Sequence, residues 1–114
     1  MPVNTVFAAM SGTLPVVEPE TTTRTRILPP YNVILENDPD HSMGFVVQVL
    51  RKVYGYDEPK SIQLMMVAHE TGESVVWTGS KEVAELKREQ MIGFHEIKDD
   101  KDIGPLGVRI EPAE

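Results

Sequence analysis

A small α+β sandwich, three strands in one antiparallel sheet packed against three helices in the order β-α-α-β-α-β, is the fold this sequence predicts. Three observations predict it: short β-favouring runs bounded by turn residues, apolar residues recurring at helical spacing between them, and a cap or glycine at nearly every boundary. Tyr31-Asn32-Val33-Ile34-Leu35 is the first such run, closed by Pro29-Pro30 before it and by Asn37-Asp38-Pro39-Asp40 after it. It reads as a strand that ends in a polar turn.

From Met43 to Tyr54 the residues Phe45, Val46, Val49, Leu50 and Val53 fall on one helical face, with Gln48, Arg51 and Lys52 opposite. Ser42 or Asp40 is placed to cap this helix, because a short side-chain oxygen there accepts from unpaired first-turn amides, and Gly55 ends it. Asp57-Glu58-Pro59 opens a second helix, on which Ile62, Met65, Met66 and His69 are spaced i, i+3, i+4 and i+7, so that His69 is expected on the apolar face. Gly72 supplies the stop. Glu73 to Thr78 reads as the second strand. Ser80 caps a third helix with an expected buried face of Val83, Leu86, Gln90, Phe94 and Ile97. After the charged stretch Lys98 to Asp102, the alternation of Leu106, Val108 and Ile110 between Gly104 and Glu111 gives the last strand. No internal repeat is present.

The chain has 114 residues, enough for one compact domain and no second one. Residues 1–28, rich in Thr, Pro and Val and without sustained periodicity, read as a flexible amino-terminal arm, and residues 29–114 as the folded domain. Cysteine is absent, which removes disulfides and thiol chemistry and suits a reducing compartment. With no basic-then-apolar leader and no long apolar run, the expected location is the cytoplasm, without membrane contact. A formal charge of −7 and the lack of a Lys/Arg stripe argue against nucleic acid, whose affinity rests on phosphate neutralisation.

The sequence carries one suggestive constellation: the loop Asn37-Asp38-Pro39-Asp40, the helix start Met43-Gly44-Phe45-Val46, and His69 on the next helix. Each part alone has an ordinary explanation. A histidine on an apolar face is commonly a core residue, an Asn-Asp pair after a strand is commonly a turn, and Met43, Met65 and Met66 commonly fill a core. Enzyme readings are disfavoured because no serine or cysteine nucleophile accompanies the His69 and Asp38 pair. His41, His69 and His95 lack the spacing that sets two metal ligands on one helix face, so neither metal nor cofactor is expected.

Taken together, the segment from Tyr31 to about Glu111 resembles the ClpS adaptors of bacterial Clp proteases. The residues that carry the resemblance are Asn37-Asp38-Pro39, His41-Ser42-Met43-Gly44-Phe45-Val46, Gln63-Leu64-Met65-Met66-Val67-Ala68-His69, Gly72, and Glu82-Val83-Ala84-Glu85-Leu86-Lys87. It implies a monomeric, non-enzymatic N-recognin, which binds substrate proteins whose free first residue is Leu, Phe, Tyr or Trp and hands them to a Clp AAA+ unfoldase. By the same resemblance Asn37 and His69 contact the substrate α-amino group, assisted by Asp38 and Asp40. The side-chain pocket comprises Leu35, His41, Met43, Val46, Met65, Ala68 and Leu106, and Glu82, Glu85 and Lys87 dock on the unfoldase's amino-terminal domain.

Three departures from the family pattern stand out. The second Asp of the family's turn is Pro39 here, its Thr-Pro is His41-Ser42, and the Val before the His is Ala68. The stretch from Lys87 to Pro105-Leu106 is also several residues longer than in familiar members. The alternative reading is a module of the same fold that docks on a partner through its helices, the outer surface of the third above all, without reading amino ends.

Overall fold

The computed structural model describes residues 28–113. The expected arm therefore falls, but for Leu28, outside the described residues. Strand β1 (Tyr31–Glu36) is central in a three-stranded antiparallel sheet, with β2 (Glu73–Gly79) on one side and β5 (Val108–Pro112) on the other. Helices α1 (Met43–Tyr54), α2 (Glu58–Thr71) and α3 (Lys81–Ile92) contribute the rest of the core. The β-α-α-β-α-β order holds, with one addition: a two-stranded hairpin, β3 (Ile97–Lys98) and β4 (Lys101–Asp102), between α3 and β5.

Local chemistry sets the boundaries. Ser42 caps α1, its Oγ accepting from the Phe45 amide at 3.2 Å, and Asp57 caps α2 by accepting from Lys60 N at 2.9 Å. Gly55 and Gly72 close those helices in the left-handed conformation, at φ 73° and 101°, where a side chain would be strained. Val33 and Leu35 face the helices, whereas Ile34 faces the other way. Its cross-strand neighbours there are Val75 and Arg109, and the Arg109 guanidinium spans the three strands by pairing with Glu36 at 2.9 Å and Glu73 at 2.7 Å. That coverage keeps Ile34 dry on the outer face.

Two helix faces differ from the sequence expectation. The buried stripe of α2 is Ser61, Met65 and Ala68, so Ile62 is exposed and His69 lies on the shoulder, exposed to solvent. On α3 the stripe is Ala84 and Met91 with the half-buried Lys87 and Arg88 between them, while Leu86 is 52% exposed and Val83 is also exposed. The reason is close approach: small Ala84 brings the helix onto the sheet, and the aliphatic stems of Lys87 and Arg88 cover the flanks while their polar heads bond backbone carbonyls of Val53 and Val108. The helix stops at Ile92, so Phe94 and Ile97 do not continue its face, and Ile97 is exposed.

Candidate functional site

The end of β1 and the turn after it, the start of α1, the last turns of α2 and the segment just before β5 meet around one pocket of about 180 Å³, lined by Leu35, Glu36, Asn37, Asp38, Pro39, His41, Met43, Val46, Met65, Ala68, His69 and Leu106. Its floor is apolar, since Leu35, Val46, Met65, Ala68 and Leu106 are buried, and Met43 stands half exposed at the mouth. Drug-sized sites occupy roughly 300–1,000 Å³, so this volume suits a single side chain rather than a whole small molecule.

Every residue the sequence reading assigned to the side-chain pocket lines this cavity, as do Asn37, Asp38 and His69. Asp40 does not. Its side chain is exposed outside the lining, while its amide donates to Asp38 Oδ1 at 2.8 Å and its carbonyl accepts from Lys98 Nζ at 2.6 Å. The polar rim is held by the backbone: Asn37 N donates to the Gly72 carbonyl at 2.9 Å, just beyond the helix that carries His69. Both Asn37 and His69 are exposed and thus accessible to a ligand.

The two carboxylates of the lining are already paired. Glu36 Oε2 meets Arg109, and Gly107, where a Cβ would lie 2.9 Å from Glu36 Oε1, leaves room for that carboxylate. Asp38 Oδ2 meets His41 Nδ1 at 2.7 Å, and His41 Nε2 lies 2.9 Å from the Gly104 carbonyl. A carboxylate and a carbonyl both accept, so the two ring nitrogens both donate and His41 is an imidazolium. Burial of the ring opposes that charge, but the bonds to Gly104 and Asp38 and the nearby Asp38 and Glu96 carboxylates outweigh it and raise the pKa above the ordinary histidine value. The ring is 8% exposed and stacked on Phe45 with centroids 5.6 Å apart.

Sequence reasoning missed the residues that brace the rim from the far side. Glu96 accepts from Ser42 N at 2.9 Å and from Ser42 Oγ at 2.7 Å, anchoring the start of α1. The signals available were the extra residues after Lys87 and the Asp99-Asp100 pair, whose positive φ values of 51° and 65° make the hairpin turn. Of the expected docking residues, Glu82 and Glu85 are exposed on α3, whereas the Lys87 amine bonds the Val53 carbonyl at 3.1 Å. Among the described residues no group of three or more potential ligands is gathered for a metal, and no helix is long and apolar enough to cross a membrane.

A family model, ATP-dependent Clp protease adaptor protein ClpS, matches residues 27–106. The chain belongs to the ClpS family. The ATP-dependent Clp protease adapter protein ClpS of a Synechococcus species is 41% identical over 75 residues, covering 65% of this chain and 82% of that protein. The ClpS of Aromatoleum aromaticum is 39% identical over 72 residues, covering 63% and 71%. The solved structure of Agrobacterium tumefaciens ClpS2 bound to L-phenylalaninamide superposes with a TM-score of 0.61 at 31% identity, covering 75% of this chain and 98% of that one. ClpS proteins are adaptors of the Clp protease and not enzymes.

Proposed function

We propose that this ClpS-family chain binds the free amino end of substrate proteins beginning with Leu, Phe, Tyr or Trp and delivers them to a Clp AAA+ unfoldase. The observation that carries the reading is a pocket sized for one side chain, apolar at its floor, with Asn37 and His69 accessible at its rim. L-phenylalaninamide, the ligand of the similar Agrobacterium protein, has the matching chemistry: a free amine, a benzyl group and no carboxylate.

In this reading the first side chain enters between Leu35, Met43, Val46, Met65, Ala68 and Leu106, and the α-ammonium donates to the Asn37 carbonyl and a neutral His69 nitrogen. Hydrogen bonds to a charged group contribute about 1.5–3 kcal/mol each, and burial of a Leu or Phe side chain about 1.5–3 kcal/mol, before ordering costs. Those terms reach micromolar affinity, about −8 kcal/mol. Asp38 has a smaller part than Asn37 and His69, because its charge is offset by His41. Met43, at the mouth, closes over unbranched or γ-branched side chains and against β-branched ones, favouring Leu over Ile. Glu82 and Glu85, with the exposed Leu86 beside them, form the face offered to the unfoldase.

Anisotropy titrations of fluorescent peptides beginning with Leu, Phe, Tyr, Trp, Ile or Met, against wild type and His69→Ala, test this. The four named residues bind wild type best and lose at least tenfold on the alanine change. Equal affinity for all six, or indifference to His69→Ala, supports a docking module that does not read amino ends.

A further inference from the structure

We propose that the hairpin segment Glu96–Gly104 is a working part of the pocket, with His41 the positioning residue through which it fixes the turn that carries Asn37 and Asp38. Three ties join the segment to that turn. His41 bridges Asp38 to the Gly104 carbonyl, Glu96 takes both the amide and the hydroxyl of Ser42, and Lys98 Nζ donates to the Asp40 carbonyl at 2.6 Å. All four turn residues so held, Asp38, Asp40, His41 and Ser42, lie between the amine-binding rim and the helix that begins with Met43.

The segment is itself closed by bonds that share these atoms. Gly104 O accepts from Glu96 N at 3.3 Å as well as from His41, and Ile103 N donates to the Glu96 carbonyl at 2.9 Å. A shift of the hairpin is therefore felt at His41, and through it at Asp38 Oδ2, whose partner oxygen holds the Asp40 amide. The charges that act on the ring are Asp38 from the turn and Glu96 from the hairpin; Glu36 from β1 and His69 from α2 line the same pocket, while the first turn of α1 adds no acid. Packing on Phe45 and near-complete burial leave the ring one place to sit. The affinity of the pocket thus depends on Glu96, Lys98 and Gly104, which lie outside its lining.

This inference rests on the amino-end reading for its effect on binding, but not for its structural core, and the two are tested apart. Affinity for a Phe-first peptide is measured for the full chain, His41→Ala, Glu96→Ala and the double variant, with amide hydrogen exchange followed on the same four proteins without ligand. Each single variant loses about tenfold in affinity, and the double loses little more than either, because both act on one turn. Without ligand, His41→Ala speeds exchange at Glu96 and Ile103, and Glu96→Ala speeds it at Asp40, amides that neither substitution removes a partner from directly. NMR of the wild-type ring finds protons on both nitrogens at neutral pH. Unchanged exchange at these cross-placed amides, a neutral ring, or losses that multiply as for independent sites overturns the proposal. Should no peptide bind any form, the amino-end reading fails and the exchange data still decide the coupling.

Discussion

The Asn37 amide donates to the Gly72 carbonyl across 2.9 Å, and this one bond ties the polar turn after β1 to the end of the helix that carries His69. The two groups assigned to the amino end thus share an anchor. Gly72 holds φ at 101° with open space around it, so a methyl there meets no atom and suffers only backbone strain. Gly72→Ala is expected to cost about 1–2 kcal/mol, read as a lower Tm, and to weaken peptide binding as well. Gly72→Asn, better tolerated in that conformation, recovers part of both.

Stability should be bounded in pH from both sides by the pocket turn. His41 has a raised pKa in the folded protein, so its contribution is fully present below the ordinary histidine value of 6.5 and is lost as pH rises through the folded value. For Glu96, burial pulls the pKa upward, but the two bonds from Ser42 and the nearby Lys98 and His41 charges prevail and lower it. Its contribution is present above the ordinary value of 4.5 and is lost as pH falls through the folded one. Thermal melts across pH show the alkaline decline in wild type and a flatter one in His41→Gln, while Glu96→Gln flattens the acid limb and, by removing one of the charges that raise the His41 pKa, affects the alkaline limb less than His41→Gln does. An alkaline limb identical in His41→Gln contradicts the charged-ring assignment.

The face that α3 buries separates two otherwise similar substitutions. Met91 is fully buried, with the Tyr54 hydroxyl 3.2 Å from its sulfur, and Met91→Ala is expected to cost about 2–5 kcal/mol. Leu86→Ala, at a position 52% exposed, should stay within about 0.5 kcal/mol in denaturant melts. The reverse order would restore the face read from the sequence.

The contrast on α3 shows what the sequence made legible and what it did not. Strands, caps and stop glycines were readable because each depends on a few adjacent residues: Asp57 and Ser80 cap as expected, Ser42 is the cap of the two candidates Ser42 and Asp40, and Gly55 and Gly72 stop their helices. The residues of the pocket were readable through the family motif, which keeps Asn37, Met43, Met65 and His69 in order. Helix orientation was not, because long basic stems and a small alanine can line a core as well as leucine does, and hydrophobicity alone ranks them wrongly. Nor was the pairing of His41 with Gly104, which joins residues 63 positions apart through a backbone carbonyl. A hairpin of two-residue strands is too short to leave a periodic signal.

The central claim, that the pocket reads a free amino end, is tested most directly by one ratio: the affinity of a Phe-first peptide over that of the same peptide acetylated at its amino end. Acetylation removes the charge and two of three donors while leaving the side chain intact, and an amino end with pKa about 7.7–8.0 is mostly charged at neutral pH. The account predicts a ratio of at least one hundred for wild type, the loss of two charge-assisted bonds of about 1.5 kcal/mol or more each, collapsing toward one in Asn37→Ala with His69→Ala. A ratio near one in the wild-type protein would contradict it.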